Sequence, residues 1–282
     1  MPAPREGRLT AGAISLNVRE RPGGLPELLC LHGLASNALW WDPVGELLAP
    51  QHRVVAVDLR GHGLSDRPER GYGFAEVASD LAALLPQLGL RRPVVVGHSW
   101  GASVALELAA SGSAVRAVVC VDGGVLDVRR VFGSTWEEAE ARMRPPRLAG
   151  LTEARVRSMV SHSGLAEEVG EEEATRILLG NFEEGPEGLA PRLDLRRHME
   201  IARALYELDQ SELLARVSCP VLFVMAVNDE GLATAKRAAV EEARSLLSAP
   251  SEAVFVPGIH DLPVQRPREV AAAISSFLDR LP

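Results

Sequence analysis

Six short apolar runs, each continuous rather than alternating, constrain the fold of this 282-residue chain most. They are Leu28–Leu31, Val54–Val57, Val94–Val96, Ala117–Val121, Val221–Met225 and Ala253–Val256. A strand with one wet face alternates polar and apolar residues, whereas a strand covered on both faces has no reason to. Segments of helical period lie between the runs, among them residues 74–88, which end near Gly89. Buried strands alternating with helices imply a parallel sheet with helices on both faces. Residues 8–18 add two short alternating runs around a turn, an edge hairpin. The expected fold is therefore α/β, a mostly parallel, doubly wound sheet of about eight strands.

The pattern changes after the fourth buried run. From Leu126 to Ala215 nothing reads as a strand, and four charged helical segments appear instead: Thr135–Arg142, Thr152–Ser161, Glu171–Gly180 and Leu195–Leu208. Pro145-Pro146 and Gly185-Pro186 interrupt them. A helical insertion that leaves the carboxyl end of one sheet strand and returns before the next is placed to cover the sheet's rim. The expected organisation is a core of residues 1–125 and 216–282 with a helical cap of residues 126–215.

Sites in open parallel sheets lie beyond the carboxyl ends of the strands. His32-Gly33, Asp58, Ser99 and Asp122 all follow strand ends. Ser99 stands in Gly97-His98-Ser99-Trp100-Gly101, between a buried strand and a helical pattern, the context that a nucleophile elbow requires. A serine hydroxyl is a weak nucleophile and must project from a sharp turn to reach both a base and a carbonyl. Such a turn brings strand and helix close, which Gly97 and Gly101 permit. Serine catalysis also needs a base and a carboxylate that orients it. Downstream, Asp229 and His260 each occupy a loop directly after a predicted strand.

With these motifs in this order, the chain resembles the α/β-hydrolase family over nearly its whole length. The resemblance is carried by His32-Gly33, Asp58-x-Arg60-Gly61-x-Gly63-x-Ser65, Gly97–Gly101, Asp229 and Gly258-x-His260. It implies Ser99 as nucleophile, His260 as general base and acid, and Asp229 as orienting carboxylate. It also implies an oxyanion hole from the backbone N–H groups of Leu34 and Trp100. Asp122 is the alternative acid, since some members take theirs from that position; Asp229 is preferred because Ala226-Val227-Asn228-Asp229 matches the usual acid loop better, although Ala226 stands where glycine is common. Asp261 reads as a solvated neighbour. His32, His62 and His98 read as structural or wall residues, and His52, His162 and His198 as solvent or cap surface. One of Trp40 and Trp41 is expected in the core and the other in the pocket.

The resemblance implies no cofactor and a small-molecule substrate. The expected reaction is hydrolysis of a carboxylic ester through an acyl-enzyme. An amide or peptide bond, as in proline iminopeptidase-like members, a lactone, a carbon–carbon bond or acyl transfer would use the same groups. A ligand receptor that kept the triad is the alternative outside enzymes. Leu148, Met159, Ile177, Leu178 and Phe182 suggest an apolar pocket, and Arg142, Arg144 or Arg147 could hold a substrate carboxylate.

A net charge of −8 argues against nucleic acid or an anionic membrane as partner. No apolar run approaches the roughly 20 residues of a membrane span, and the amino terminus lacks a signal-peptide core. The expected location is cytoplasmic. The three cysteines, Cys30, Cys120 and Cys219, lie in or beside apolar runs without metal-ligand spacing and read as buried free thiols. Lys236 is the one lysine among many arginines, a bias that reads as coding background.

Overall fold

The computed structural model describes residues 3–125 and 127–281; Leu126, the expected first residue of the cap, lies outside the described residues. The amino-terminal hairpin is β1 (Arg5–Ala11) and β2 (Ile14–Arg21). The six continuous runs form β3 (Gly24–Leu31), β4 (His52–Val57), β5 (Val94–His98), β6 (Ala117–Val121) and, after a long insertion, two more strands. Within the insertion a two-stranded sheet is formed by β7 (Phe182–Gly185) and β8 (Gly188–Pro191). The main sheet then resumes with β9 (Val221–Val227) and β10 (Ser251–Pro257). Its eight strands run in the order β1-β2-β4-β3-β5-β6-β9-β10, antiparallel at the β1–β2 and β2–β4 pairs and parallel elsewhere.

The helices are α1 (Asp42–Leu48), α2 (Phe74–Leu88), α3 (Trp100–Ala110), α4 (Val128–Phe132), α5 (Trp136–Met143), α6 (Glu153–Ser163), α7 (Glu171–Leu179), α8 (Leu195–Glu207), α9 (Gln210–Ala215), α10 (Glu230–Leu246), α11 (Leu262–Gln265) and α12 (Pro267–Leu278). Among the described residues no helix is long and apolar enough to cross a membrane.

The continuous apolar runs are explained by two cores, one on each face. Leu29, Leu31, Val55, Val57 and Val95 pack under α2, α3, α9 and α10, while Leu28, Cys30, Val54, Ala56, Val94 and Val96 pack under α1 and α12. Successive strand residues point to opposite faces, so both parities must be apolar. Each leucine or valine so buried contributes roughly 1.5–3 kcal/mol. Cys30 and Cys120 belong to these cores, and burial pushes both thiols far up; Cys219 is half-buried and pushed up to about 11.

Helix boundaries follow side-chain caps. Thr135, Thr152 and Asp194 accept hydrogen bonds from the backbone N–H groups of Glu138, Arg155 and Arg197, which starts α5, α6 and α8 where the sequence places them. Gly89, with φ 68°, ends α2 in the left-handed conformation. The β7–β8 hairpin departs from the expectation of an all-helical insertion. Its strands have four residues each, too few to show a period, and Gly185-Pro186, read as a break, is part of its turn.

The insertion is tied to the rest of the chain by ion pairs and backbone contacts. Arg67 holds Glu183 with two hydrogen bonds of 2.7 and 2.6 Å, and Glu200 accepts from the N–H groups of Gly71 and Tyr72. Arg176 reaches Asp42 at 2.8 Å. Strand order reverses at β3, with β4 on one side and β5 on the other. That reversal opens a crevice beyond the carboxyl ends of β3 and β5.

Candidate active site

Ser99 sits at the tip between β5 and α3 with φ 54° and ψ −120°, a conformation L-residues rarely adopt. A Cβ on Gly97 would lie 2.2 Å from the Gly101 carbonyl oxygen, and one on Gly101 would lie 2.5 Å from that of His32. Both glycines are therefore demanded by contact. Among the described residues only Ala35, Ser99 and Asp122 have positive φ without being glycine, and all three stand at this rim. Strain held at one place by a rigid surround is a mark of a functional site.

The loop after β10 brings His260 over the turn. Its Nε2 lies 2.9 Å from Ser99 Oγ, and its Nδ1–H donates to Asp122 Oδ2 at 2.7 Å. His98 Nε2–H donates to the His260 carbonyl at 2.9 Å, and Gln265 Oε1 accepts from the Ile259 N–H at 2.7 Å, so the loop is held from two sides. The His260 side chain is 53% exposed, open to the cavity on one face and packed on the other. Burial lowers its ring, but the hydrogen bond and charge of Asp122, then the charge of Asp261, raise it above the ordinary histidine value. Burial likewise raises the Asp122 carboxyl, but the contacts with His260 and Lys236 outweigh it and hold the group below the usual range.

The carboxylate that meets His260 is thus Asp122 and not Asp229, which departs from the sequence-based expectation. Asp229 is exposed, and its side chain accepts the Leu232 N–H at 2.8 Å to cap α10. Both acids follow sheet strands; what separates them is that β6, adjacent to β5, carries Asp122 behind the elbow, where Ser99 N–H donates to Val121 O at 2.9 Å. Lys236, which sequence reasoning missed, donates to both Asp122 oxygens at 2.6 and 2.9 Å.

Leu34 and Trp100 line the same cavity as Ser99 and His260. Trp100 is the first residue of α3, where a backbone N–H has no partner within the helix. Among the described residues neither amide N–H is taken up by another group. The Leu34 turn is fixed by Ala35, whose N–H donates to His62 Nε2 at 3.2 Å.

The remaining histidines divide by burial. His32, His62 and His98 are buried, and desolvation lowers them to about 4, 3 and 3, so they are neutral near pH 7. Their roles are structural, as His32 Nε2 accepting the Leu59 N–H illustrates. His162 is exposed as expected, but His52 and His198 are buried, against expectation. Asp261 is half-buried rather than solvated, and burial raises its carboxyl. Asp58 accepts from the Ala38 and Leu64 N–H groups, and Arg60 grips Asp80 through two 2.6 Å hydrogen bonds, so that loop is a structural turn.

The cavity over Ser99 has a volume of about 590 Å³ and is lined in part by Val131, Phe132, Arg142, Met143 and His198 from the insertion. A slightly larger cavity of about 640 Å³ shares His198 but contains neither Ser99 nor His260. Chemistry, not size, selects the first. Leu148, Leu178 and Phe182 line the larger cavity, Ile177 is fully buried and Met159 is exposed, so the apolar residues expected at the pocket lie elsewhere. Of the three arginines, Arg142 lines the Ser99 cavity, Arg144 pairs with Glu140, and Arg147 lines the other cavity. Trp40 and Trp41 are both buried and neither lines the Ser99 cavity.

Comparison with known proteins agrees with this fold. Over 116 residues the chain is 42% identical to the 2-(acetamidomethylene)succinate hydrolase of Mesorhizobium japonicum, a match that spans 41% of each protein. It is 28% identical over 280 residues to human serine hydrolase-like protein 2, covering 90% of this chain and 87% of that one. A crystal structure of E-2-(acetamidomethylene)succinate hydrolase superimposes with a TM-score of 0.80 at 28% identity, covering 98% of this chain and 99% of that one. The model of the alpha/beta hydrolase family matches residues 28–273. The chain belongs to the alpha/beta hydrolase family.

Proposed function

We propose that this protein is a serine hydrolase that cleaves an acyl C–N bond in a small, carboxylate-bearing molecule through an acyl-enzyme on Ser99. The observation that carries the reading is the run Ser99 Oγ–His260 Nε2, 2.9 Å, and His260 Nδ1–Asp122 Oδ2, 2.7 Å, beside two unengaged amides. His260 takes the Ser99 proton as Oγ attacks the carbonyl carbon, and Asp122 stabilises the imidazolium that forms. The Leu34 and Trp100 N–H groups receive the oxyanion; one such donor is worth roughly 3–4 kcal/mol. His260 then protonates the leaving nitrogen, the C–N bond breaks, and water repeats the sequence to free the acid. In this reading residues 126–215 act as a cap, and α4, α5 and α8 exclude bulk water from the charge that develops.

Two observations favour this substrate class over the carboxylic ester of a mainly apolar molecule expected from sequence. The relative 42% identical to part of this chain is named for a molecule that has an amide and two carboxylates. Arg142, exposed in the Ser99 cavity, has no carboxylate partner among the described residues. A guanidinium matches a carboxylate with two parallel hydrogen bonds. The test is a rate panel in which N-acyl enamines, anilides and nitrophenyl esters are each compared with and without a carboxylate. The reading expects the carboxylate-bearing amides to have the highest kcat/KM and Ser99→Ala to abolish their turnover. Faster cleavage of neutral esters would return the assignment to an esterase, and turnover by Ser99→Ala would end the serine mechanism.

A further inference from the structure

Lys236 is the only lysine in a sequence with 30 lysines and arginines, and it lies 6% exposed behind the site. Its ammonium has three N–H groups, and all are used: two on Asp122 Oδ1 and Oδ2, at 2.6 and 2.9 Å, and one on the Ala226 carbonyl at 2.8 Å. Asp122 Oδ1 also accepts the Ala226 N–H at 2.9 Å, so the carboxylate is gripped from β9 and α10 while its other oxygen serves His260. A compact ammonium serves all three acceptors of this socket at once. Asp229, which the sequence suggested as the acid, caps the helix that delivers Lys236 two turns later.

We propose that Lys236 is a positioning residue for the hydrolytic reaction, clamping Asp122 against His260 and opposing part of the carboxylate's charge. The proposal rests on the reading of Ser99, His260 and Asp122 as a triad. The groups facing His260 are Asp122 after β6, its neighbour Asp261, His98 from β5, Lys236 from α10, and Arg142 and His198 across the cavity. His98 is neutral, and the two carboxylates raise the ring, while Lys236 lowers it. The clamp therefore keeps His260 a free base at a lower pH than Asp122 and Asp261 would set alone. Removing a charge at this range shifts a neighbour by on the order of one unit.

The experiment is an NMR titration of the His260 ring in the full chain, as wild type, Lys236→Met, Lys236→Gln and Lys236→Arg. The result expected is a midpoint raised by about one unit in the two neutral variants and restored by arginine to within a few tenths. The acid limb of kcat/KM should move by the same amount, with KM little changed. An unmoved midpoint, or a rate loss equal at all pH values, overturns the proposal. Should neither neutral variant fold, Asp122→Asn and Asp122→Asn/Lys236→Met together read the same charge: the His260 midpoint should be higher in the double variant, which lacks the ammonium, and equal midpoints overturn the proposal. The titration needs no substrate, so its outcome is separate from whether the chain cleaves an acyl bond, which loss of turnover in Ser99→Ala tests.

Discussion

Replacing Asp122 by asparagine is the most informative single change, because it leaves shape almost intact and removes two things together. The first is the charge that stabilises the His260 imidazolium. The second is the acceptor that fixes the ring: an asparagine that turns its NH₂ toward Nδ1 favours the tautomer with Nε2 protonated, and such a ring cannot take the Ser99 proton. In a serine-protease triad the same change costs about 10⁴ in kcat, or roughly 5.4 kcal/mol at 1.36 kcal/mol per decade. We expect a loss of that order here. Asp122 is 4% exposed and holds the buried ammonium of Lys236, so stability should fall as well, by roughly 3–5 kcal/mol for a buried ion pair broken on one side. Asp229→Asn is the control. Asparagine caps a helix as well as aspartate, and Asp229 is exposed, so kcat/KM should stay within about twofold and stability within about 0.5 kcal/mol. The assay is steady-state kinetics on the best substrate of the panel, with urea unfolding of each variant. Near-normal turnover in Asp122→Asn together with a large loss in Asp229→Asn would refute the assignment.

Arg142→Gln should raise KM for carboxylate-bearing substrates by roughly tenfold or more while leaving neutral analogues within about twofold, since a charged hydrogen bond is worth about 1.5–3 kcal/mol; equal effects on both would remove Arg142 from recognition. Gly101→Ala would press a methyl against the carbonyls of His32 and Leu31 at 2.5 and 2.6 Å, and should cost roughly 3 kcal/mol or more, read by denaturant unfolding. Stability should fall steeply on acidification below pH 6.5. His32, His62 and His98 have folded values lowered to about 4, 3 and 3, so the unfolded chain binds three protons that the native state excludes. The slope approaches about 4 kcal/mol per pH unit between pH 6 and 4, with stability lost as pH falls; a flat profile over that range would show these rings charged in the native state.

Much of the fold could be read because its signals are local. A strand buried on both faces must be apolar throughout, so β3 to β6, β9 and β10 announced themselves, and caps such as Thr135 and Thr152 marked helix starts to within a residue. The β7–β8 hairpin, with four residues per strand, carried no period to detect. Ser99 and His260 were legible for the same local reason, each standing in a turn directly after a strand. Which carboxylate meets His260 was not, because Asp122 and Asp229 both satisfy that rule and only the lateral order of strands separates them. Two signals were nonetheless present. Asp229 precedes a helical pattern, which is where a cap belongs, and Lys236 is a compositional exception in an arginine-rich chain. Its meaning appears only when α10 is folded against β9 and the Lys236 side chain reaches the carboxylate that follows β6. The pocket residues were hardest to place, since Leu148, Leu178 and Phe182 have the same apolar chemistry whichever cavity they line.

The measurement that bears most directly on the central claim is mass spectrometry of the intact protein after reaction with a fluorophosphonate, followed by peptide mapping. Wild type should gain one adduct, located on Ser99, at a rate that climbs with pH as His260 loses its proton above the ordinary histidine value. Ser99→Ala should gain none, and Asp122→Asn should label far more slowly. An adduct on another residue, or labelling that survives in Ser99→Ala, would contradict the account.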